Sequence, residues 1–195
     1  MKIYFTILSF FLILSSTSFS QNDIKQNTIS IGGNISFSSK SSDGVSDSRS
    51  SFILKPQFDY FIIDNMSLGL LVNIEIMGQG NFSESVIGFG PNVRYYFPLE
   101  SIIPFAGLSY IYSNEKWSYS DNPNYDVTET QFVMTAGLEF FISTGLAFEP
   151  TISYKIMNEK LDESLIRLEP FYSNGKNELS SNIFEIGLGL KYFIN

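Results

Sequence analysis

Arg94, in "GPNVRYYF", carries a guanidinium whose fork of donors matches a carboxylate or a bound anion. It could hold an anion or pair with Glu75, Glu139 or Glu185. Buried charge must be paired, so an ion pair is the expectation. Glu139 and Glu149 are spaced as two carboxylates that could share acid–base work, but nothing beside them marks either as catalytic. The 195 residues contain no His and no Cys. That excludes thiol nucleophiles, thiolate and imidazole metal sites, and every triad with a His base. The acidic stretches "SDGVSDS" (42–48) and "DNPNYD" (121–126) gather oxygen ligands of the kind calcium takes. Neither has the ligand order and closing Glu of an EF-hand, so they read as solvated loops. Trp117 with Tyr119 and Tyr125 could anchor a carbohydrate or protein partner, or cap a rim. A net charge of -8 opposes a nucleic-acid partner. No catalytic, cofactor-binding or metal-binding residue is assigned, and no cofactor is expected.

The elements that carry these side chains are strands. In "NIFEIGLGLKYFIN" (182–195) Phe184, Ile186, Leu188, Leu190, Tyr192 and Ile194 alternate with Glu185, Gly187, Gly189 and Lys191. A period of two marks a strand with unlike faces. The same test succeeds in "TISIGGNISFS", "SFILKPQFDYF", "SLGLLVNIEIM", "IGFGPNVRYYF", "TQFVMTAGLEFF" and "LAFEPTISYKI". "IPFAGLSYIY" is less clean, with Ala106, Leu108, Tyr110 and Tyr112 set against Phe105, Gly107 and Ser109. Eight strands result. Short turns ("IDNM", "PLES", "STG") alternate with longer polar connections ("SKSSDGVSDSR", "GQGNFSE", "SNEKWSYSDNPNYDVTE", "NEKLDESLIRLEPFYSNGKNELS"). One rim of short turns and one of long loops is the pattern of an up-and-down membrane barrel.

Alternation alone does not say which face meets solvent, because a soluble lipocalin-like barrel turns its apolar face inward. The glycines do discriminate: Gly32, Gly69, Gly88, Gly90, Gly107, Gly137, Gly187 and Gly189 share the polar parity, where a narrow lumen needs small residues between large ones. The charged members of that parity are Lys55, Asp59, Glu75, Arg94, Glu139, Glu149, Lys155, Glu185 and Lys191, a nearly balanced set expected to form a polar network in the lumen. No charge falls on the apolar parity, as a lipid-facing surface requires. Tyr60, Tyr95, Tyr96, Phe97, Phe140, Phe141, Tyr192 and Phe193 recur near strand ends and are expected to form an interfacial girdle. At the N-terminus, "MKIYFTILSFFLILSSTSFSQ" has one Lys, an apolar run from Ile3 to Leu14 and small residues after it. It reads as a secretory signal peptide, residues 1–20, cleaved before Gln21; the run is short for a membrane-spanning helix. Residues 21–195 form the barrel domain.

"GFGPNVRYYFPLESIIPFAGLSY" (88–110), "FDYFIIDNMSLGL" (58–70), "LEFFISTGLAFEP" (138–150) and "IGLGLKYF" resemble the small outer-membrane β-barrel, porin-like proteins common in Bacteroidetes. The resemblance implies an all-β fold, an eight-stranded antiparallel up-and-down transmembrane β-barrel in the cell outer membrane. It also implies a terminal aromatic read by the barrel-assembly machinery; here Phe193 is followed by Ile194 and Asn195. Expected partners are outer-membrane lipid, that machinery, and an extracellular ligand or surface partner held through the loops. The expected role is non-enzymatic, structural or adhesive at the cell surface, around a side-chain-filled lumen. The competing readings are a narrow transport pore for small solutes and a soluble periplasmic lipocalin-like binder.

Overall fold

The computed structural model describes residues 24–40, 49–79, 82–99, 102–119, 122–160 and 178–194. The leader expected at 1–20 and the acidic stretch 42–48 lie outside these residues. Eight strands follow in order: β1 (Ile29–Lys40), β2 (Arg49–Ile63), β3 (Met66–Gln79), β4 (Phe82–Tyr96), β5 (Ile103–Tyr119), β6 (Asn122–Phe141), β7 (Leu146–Lys160) and β8 (Glu178–Ile194). Each pairs antiparallel with the next, and β8 returns to β1, closing the barrel. The closing ladder runs from Ile29 opposite Ile194 to Phe37 opposite Ile186. It leaves no open edge there, which hydrocarbon would not tolerate.

The barrel is inside-out. Leu70 and Phe89 are 61% and 66% exposed, whereas Asp59 and Glu139 on the other parity are fully buried. An outer surface this apolar, running round all eight strands, is far larger than the patches soluble proteins show to water. That arrangement is the reverse of the lipocalin-like alternative. The outward rows also show where lipid ends. On β5 the row Leu108, Tyr110, Tyr112 gives way to Asn114 and Lys116; on β7 Ile152, Tyr154, Ile156 gives way to Asn158 and Lys160. A tilted strand spans a bilayer with about 9–11 residues. β5, at 17 residues, and β6, at 20 residues, therefore continue past the apolar band on the long-loop, extracellular side.

This corrects the expected third loop. The stretch read as "SNEKWSYSDNPNYDVTE" is mostly hairpin, with Lys116 opposite Asp126 and Trp117 opposite Tyr125. Its polar outward residues hid the alternation, because above the membrane both faces of a strand are polar. The side chains of Trp117, Tyr119 and Tyr125, and those of the acidic stretch 121–126, lie outside the described residues. The short turns occupy the opposite, periplasmic rim. Asn65 takes a left-handed conformation (φ 64°) in the two-residue β2–β3 turn, a geometry that Asn tolerates well.

Candidate functional site

The interior is layered. At the periplasmic end, Phe61, Tyr96, Phe105, Phe141 and Phe193 form an aromatic floor with Ile24, Ile103 and Ala147. Phe61 lies 5.3 Å from Tyr96 and 6.1 Å from Phe193, Phe141 lies 5.2 Å from Phe193, and Tyr96 lies 5.5 Å from Phe105, ring centre to ring centre. Such spacings are those of favourable tilted aromatic packing. Ile24 is carried in by the segment before β1. There the Asn27 N–H donates to Phe61 O (2.9 Å), the Asn65 N–H to Ile24 O (3.2 Å) and the Gln26 N–H to Asp64 Oδ1 (2.7 Å).

The floor corrects the girdle expectation. Tyr96, Phe141 and Phe193 are buried in the lumen, while Tyr95, Phe97 and Tyr192 face outward. Tyr60–Phe61, Tyr95–Tyr96, Phe140–Phe141 and Tyr192–Phe193 are aromatic doublets at the periplasmic ends of β2, β4, β6 and β8. Because successive side chains point to opposite faces, each doublet sends one ring to the membrane interface and one to the floor. The signal was in the sequence, in the adjacency of the two rings of each doublet. Gly137 makes room for it: a Cβ there would sit 2.5 Å from the Phe105 ring and 2.9 Å from Pro150 O.

Directly above lies a network of charges. The Lys191 ammonium is 3.2 Å from Asp59, 3.2 Å from Glu149 and 3.7 Å from Glu139, and donates to Tyr96 OH at 3.1 Å. Arg94 donates through Nη1 to Glu149 (2.6 Å) and through Nη2 to Gln57 (2.5 Å), and its guanidinium stacks 4.6 Å from the centre of the Phe105 ring. Arg94 is thus in an ion pair, but with Glu149 rather than the three partners considered for it. Higher still, both Lys55 and Lys155 bind Glu185, and Ser36 donates to Glu185 Oε1 at 2.6 Å. Among the charges buried within the apolar band, Lys55, Arg94, Lys155 and Lys191 stand against Asp59, Glu139, Glu149 and Glu185, four of each sign. Eight of the nine charged residues expected in the lumen are therefore together and buried. Glu75 is half-buried near the mouth.

Between the two charge clusters is a cavity of about 30 Å³ bordered by Asn34, Gln57, Arg94, Glu149, Thr151 and Glu185, room for one or two waters. Leu71, Ile111 and Val133 pack on another part of its wall. Above the band, Glu115, Glu129 and Glu159 converge at the extracellular mouth. Burial pushes the Glu129 carboxyl up to about 7; Gln131's hydrogen bond opposes this, and Glu159 and Glu75 add to it. Sequence reasoning missed these three carboxylates because their stretches were read as loop. Ser109, Ile111, Ser113 and Glu115 continue one parity unbroken.

Closed eight-stranded topology, a lipid-type outer surface and a charge-paired lumen define an outer-membrane barrel. Residues 6–192 match the outer membrane protein β-barrel domain. The chain belongs to that family. Its place is therefore the cell outer membrane, and its strands cross the bilayer. Among solved structures, Neisserial surface protein A superposes with a TM-score of 0.61 at 11% identity, over 86% of this chain and 97% of that one. The N-terminal barrel domain of Pseudomonas aeruginosa OprF gives 0.56 at 12% identity, over 87% and 98%. Ail, the attachment invasion locus protein of Yersinia pestis, gives 0.53 at 16% identity, over 87% and 99%. These likenesses are of fold. No curated protein matches the sequence.

Proposed function

We propose that this family member is a non-enzymatic, non-conducting barrel that anchors an extracellular hairpin at the cell surface, in a structural or adhesive role. The observation that carries the reading is the aromatic floor beneath a charge-paired lumen. An eight-stranded barrel has an interior just wide enough for side chains, and here the floor is apolar and the charges above it are paired. The part that reaches outward is the β5–β6 extension, whose strands rise beyond the apolar band. Ail's own name, attachment invasion locus protein, makes a surface role for such a scaffold reasonable. Insertion by the barrel-assembly machinery belongs to the same proposal.

Replacing residues 116–125 with a short turn tests the role. The barrel is expected to insert and keep its heat-modifiable gel mobility, while adherence of the producing cells to surfaces or to neighbouring cells falls. Unchanged adherence would remove the hairpin from the account. The polar cavity favours a second reading, a narrow transport pore; electrical recording separates the two.

A further inference from the structure

Among the described residues of the aromatic floor, Ile24 alone is carried by no strand; the other members lie in β2, β4, β5, β6, β7 and β8. It is buried there because the chain before β1 folds back beneath the barrel. The Thr28 N–H donates to Lys25 O at 3.2 Å, and Asn27 takes a left-handed conformation (φ 71°), closing a turn over residues 25–28. Asn adopts that geometry readily. The strap so formed is clasped to the β2–β3 turn. Besides the bonds made by the N–H groups of Gln26, Asn27 and Asn65, the Gln26 amide donates to Ile62 O at 3.0 Å. The Tyr60 hydroxyl donates to Asn27 Oδ1 at 2.7 Å, and the Lys25 ammonium lies 3.9 Å from Asp64. The same turn is tied to β4, since the Tyr96 N–H donates to Asn65 O at 2.8 Å. Two kinds of attachment are therefore separable. Ile24 is held by apolar contact in the floor, whereas the clasp is polar and made by the exposed side chains of Lys25, Gln26, Asn27 and Asp64. Exposed hydrogen bonds compete with water and belong to the readily opened part of a fold.

We propose that residues 24–28 are a periplasmic latch: Ile24 is the stopper of the floor, and the clasp on the β2–β3 turn holds it in place. Release of the strap opens the lower lumen to the periplasm while all eight strands stay paired. The strap can leave without breaking the barrel because the closing ladder between β1 and β8 begins only at Ile29. The rest of the floor cannot, since its side chains stand on strands paired on both sides. Ser67 marks what the strap covers. It is fully buried, two residues past Asn65 on the lumen parity, opposite Phe61 on one side and Arg94 on the other. The proposal rests on the sealed-lumen reading and names the removable part of the seal.

The chain has no cysteine, so Ser67→Cys introduces a single reporter thiol, at a hydroxyl that has no hydrogen-bond partner. The full chain, folded in detergent micelles, is exposed to a maleimide bearing a long polyethylene glycol chain, and labelling is read as a gel shift. Such a reagent is too large to come through a lumen whose cavity is about 30 Å³, so it reaches the thiol from the periplasmic end. With the native strap, labelling should be slow compared with the chain unfolded in urea. Gln26→Ala with Asp64→Ala, both at exposed positions, removes the amide and carboxylate contacts of the clasp. It should speed labelling by on the order of tenfold, with heat-modifiable mobility kept. Ile24→Gly, which removes the stopper, should do the same and carries the test if the double variant does not fold. Ala147→Cys is the reporter if Ser67→Cys does not fold. Labelling as slow in a folded latch variant as with the native strap would overturn the latch, as would native-strap labelling as fast as that of the unfolded chain. Steady conductance of the wild type in a planar bilayer would instead overturn the sealed-lumen reading, so the two failures are distinct.

Discussion

Lys191→Met isolates the lower charge network while keeping the length and apolar stem of the side chain. In the wild type this ammonium is shared by Asp59, Glu149 and Glu139 at 3.2, 3.2 and 3.7 Å, all of them buried. Removing it leaves Arg94 as the one cation facing those three carboxylates in the network just above the floor. Breaking a buried pair by deleting one partner costs about 3–5 kcal/mol, because the other charge stays desolvated. Glu139 and Asp59 share that cost, since Lys191 is the ion-pair partner of both while Glu149 keeps Arg94. Adding Glu139→Gln to Lys191→Met restores the balance of charge and should recover about 2 kcal/mol, within the range of coupling energies for residues in contact. The assay is reversible urea unfolding in lipid vesicles, followed by heat-modifiable mobility. A single-variant cost below about 1 kcal/mol, or a double variant equal to the sum of its singles, would refute a network held by mutual pairing.

Other substitutions probe the remaining layers by the same unfolding assay. Arg94→Lys loses the simultaneous reach to Glu149 and Gln57 and should cost about 1–3 kcal/mol, because one ammonium cannot replace a planar fork and leaves buried acceptors short of donors. Gly137→Val presses into the Phe105 ring and should cost about 1–3 kcal/mol by overpacking, with Phe105→Leu in the same chain relieving part of it. Val72→Arg, in the lipid-facing row of β3, should cost about 2–4 kcal/mol, while Asn158→Arg, above the band, should cost about 0–1 kcal/mol. Equal costs at those two positions would contradict the boundary of the apolar band.

The alternation of apolar and polar residues made the eight strands, their order and their closure legible, because in a membrane barrel one period-two signal governs every strand. The glycines on the polar parity identified the lumen face for a physical reason: the tight interior leaves no space for a Cβ at Gly69, which lies against Asp59 and Asn92. Partners within the lumen were not legible. Whether Arg94 meets Glu149 or Glu185 depends on how strands on opposite walls are staggered, and no local pattern encodes that stagger. The floor was half legible: the aromatic doublets mark the strand ends, and only alternation within each pair separates the ring at the interface from the ring in the lumen. The mouth carboxylates were lost because the alternation fades where both faces of the hairpin meet water.

The central claim, that the lumen is sealed, is tested most directly by recording the purified, refolded chain in a planar bilayer. The floor of Phe61, Tyr96, Phe105, Phe141 and Phe193 and the pairs above it predict no steady unitary conductance. Reproducible steps whose size or ion preference changes with substitution at Lys55, Arg94 or Lys191 would contradict the account and establish a pore.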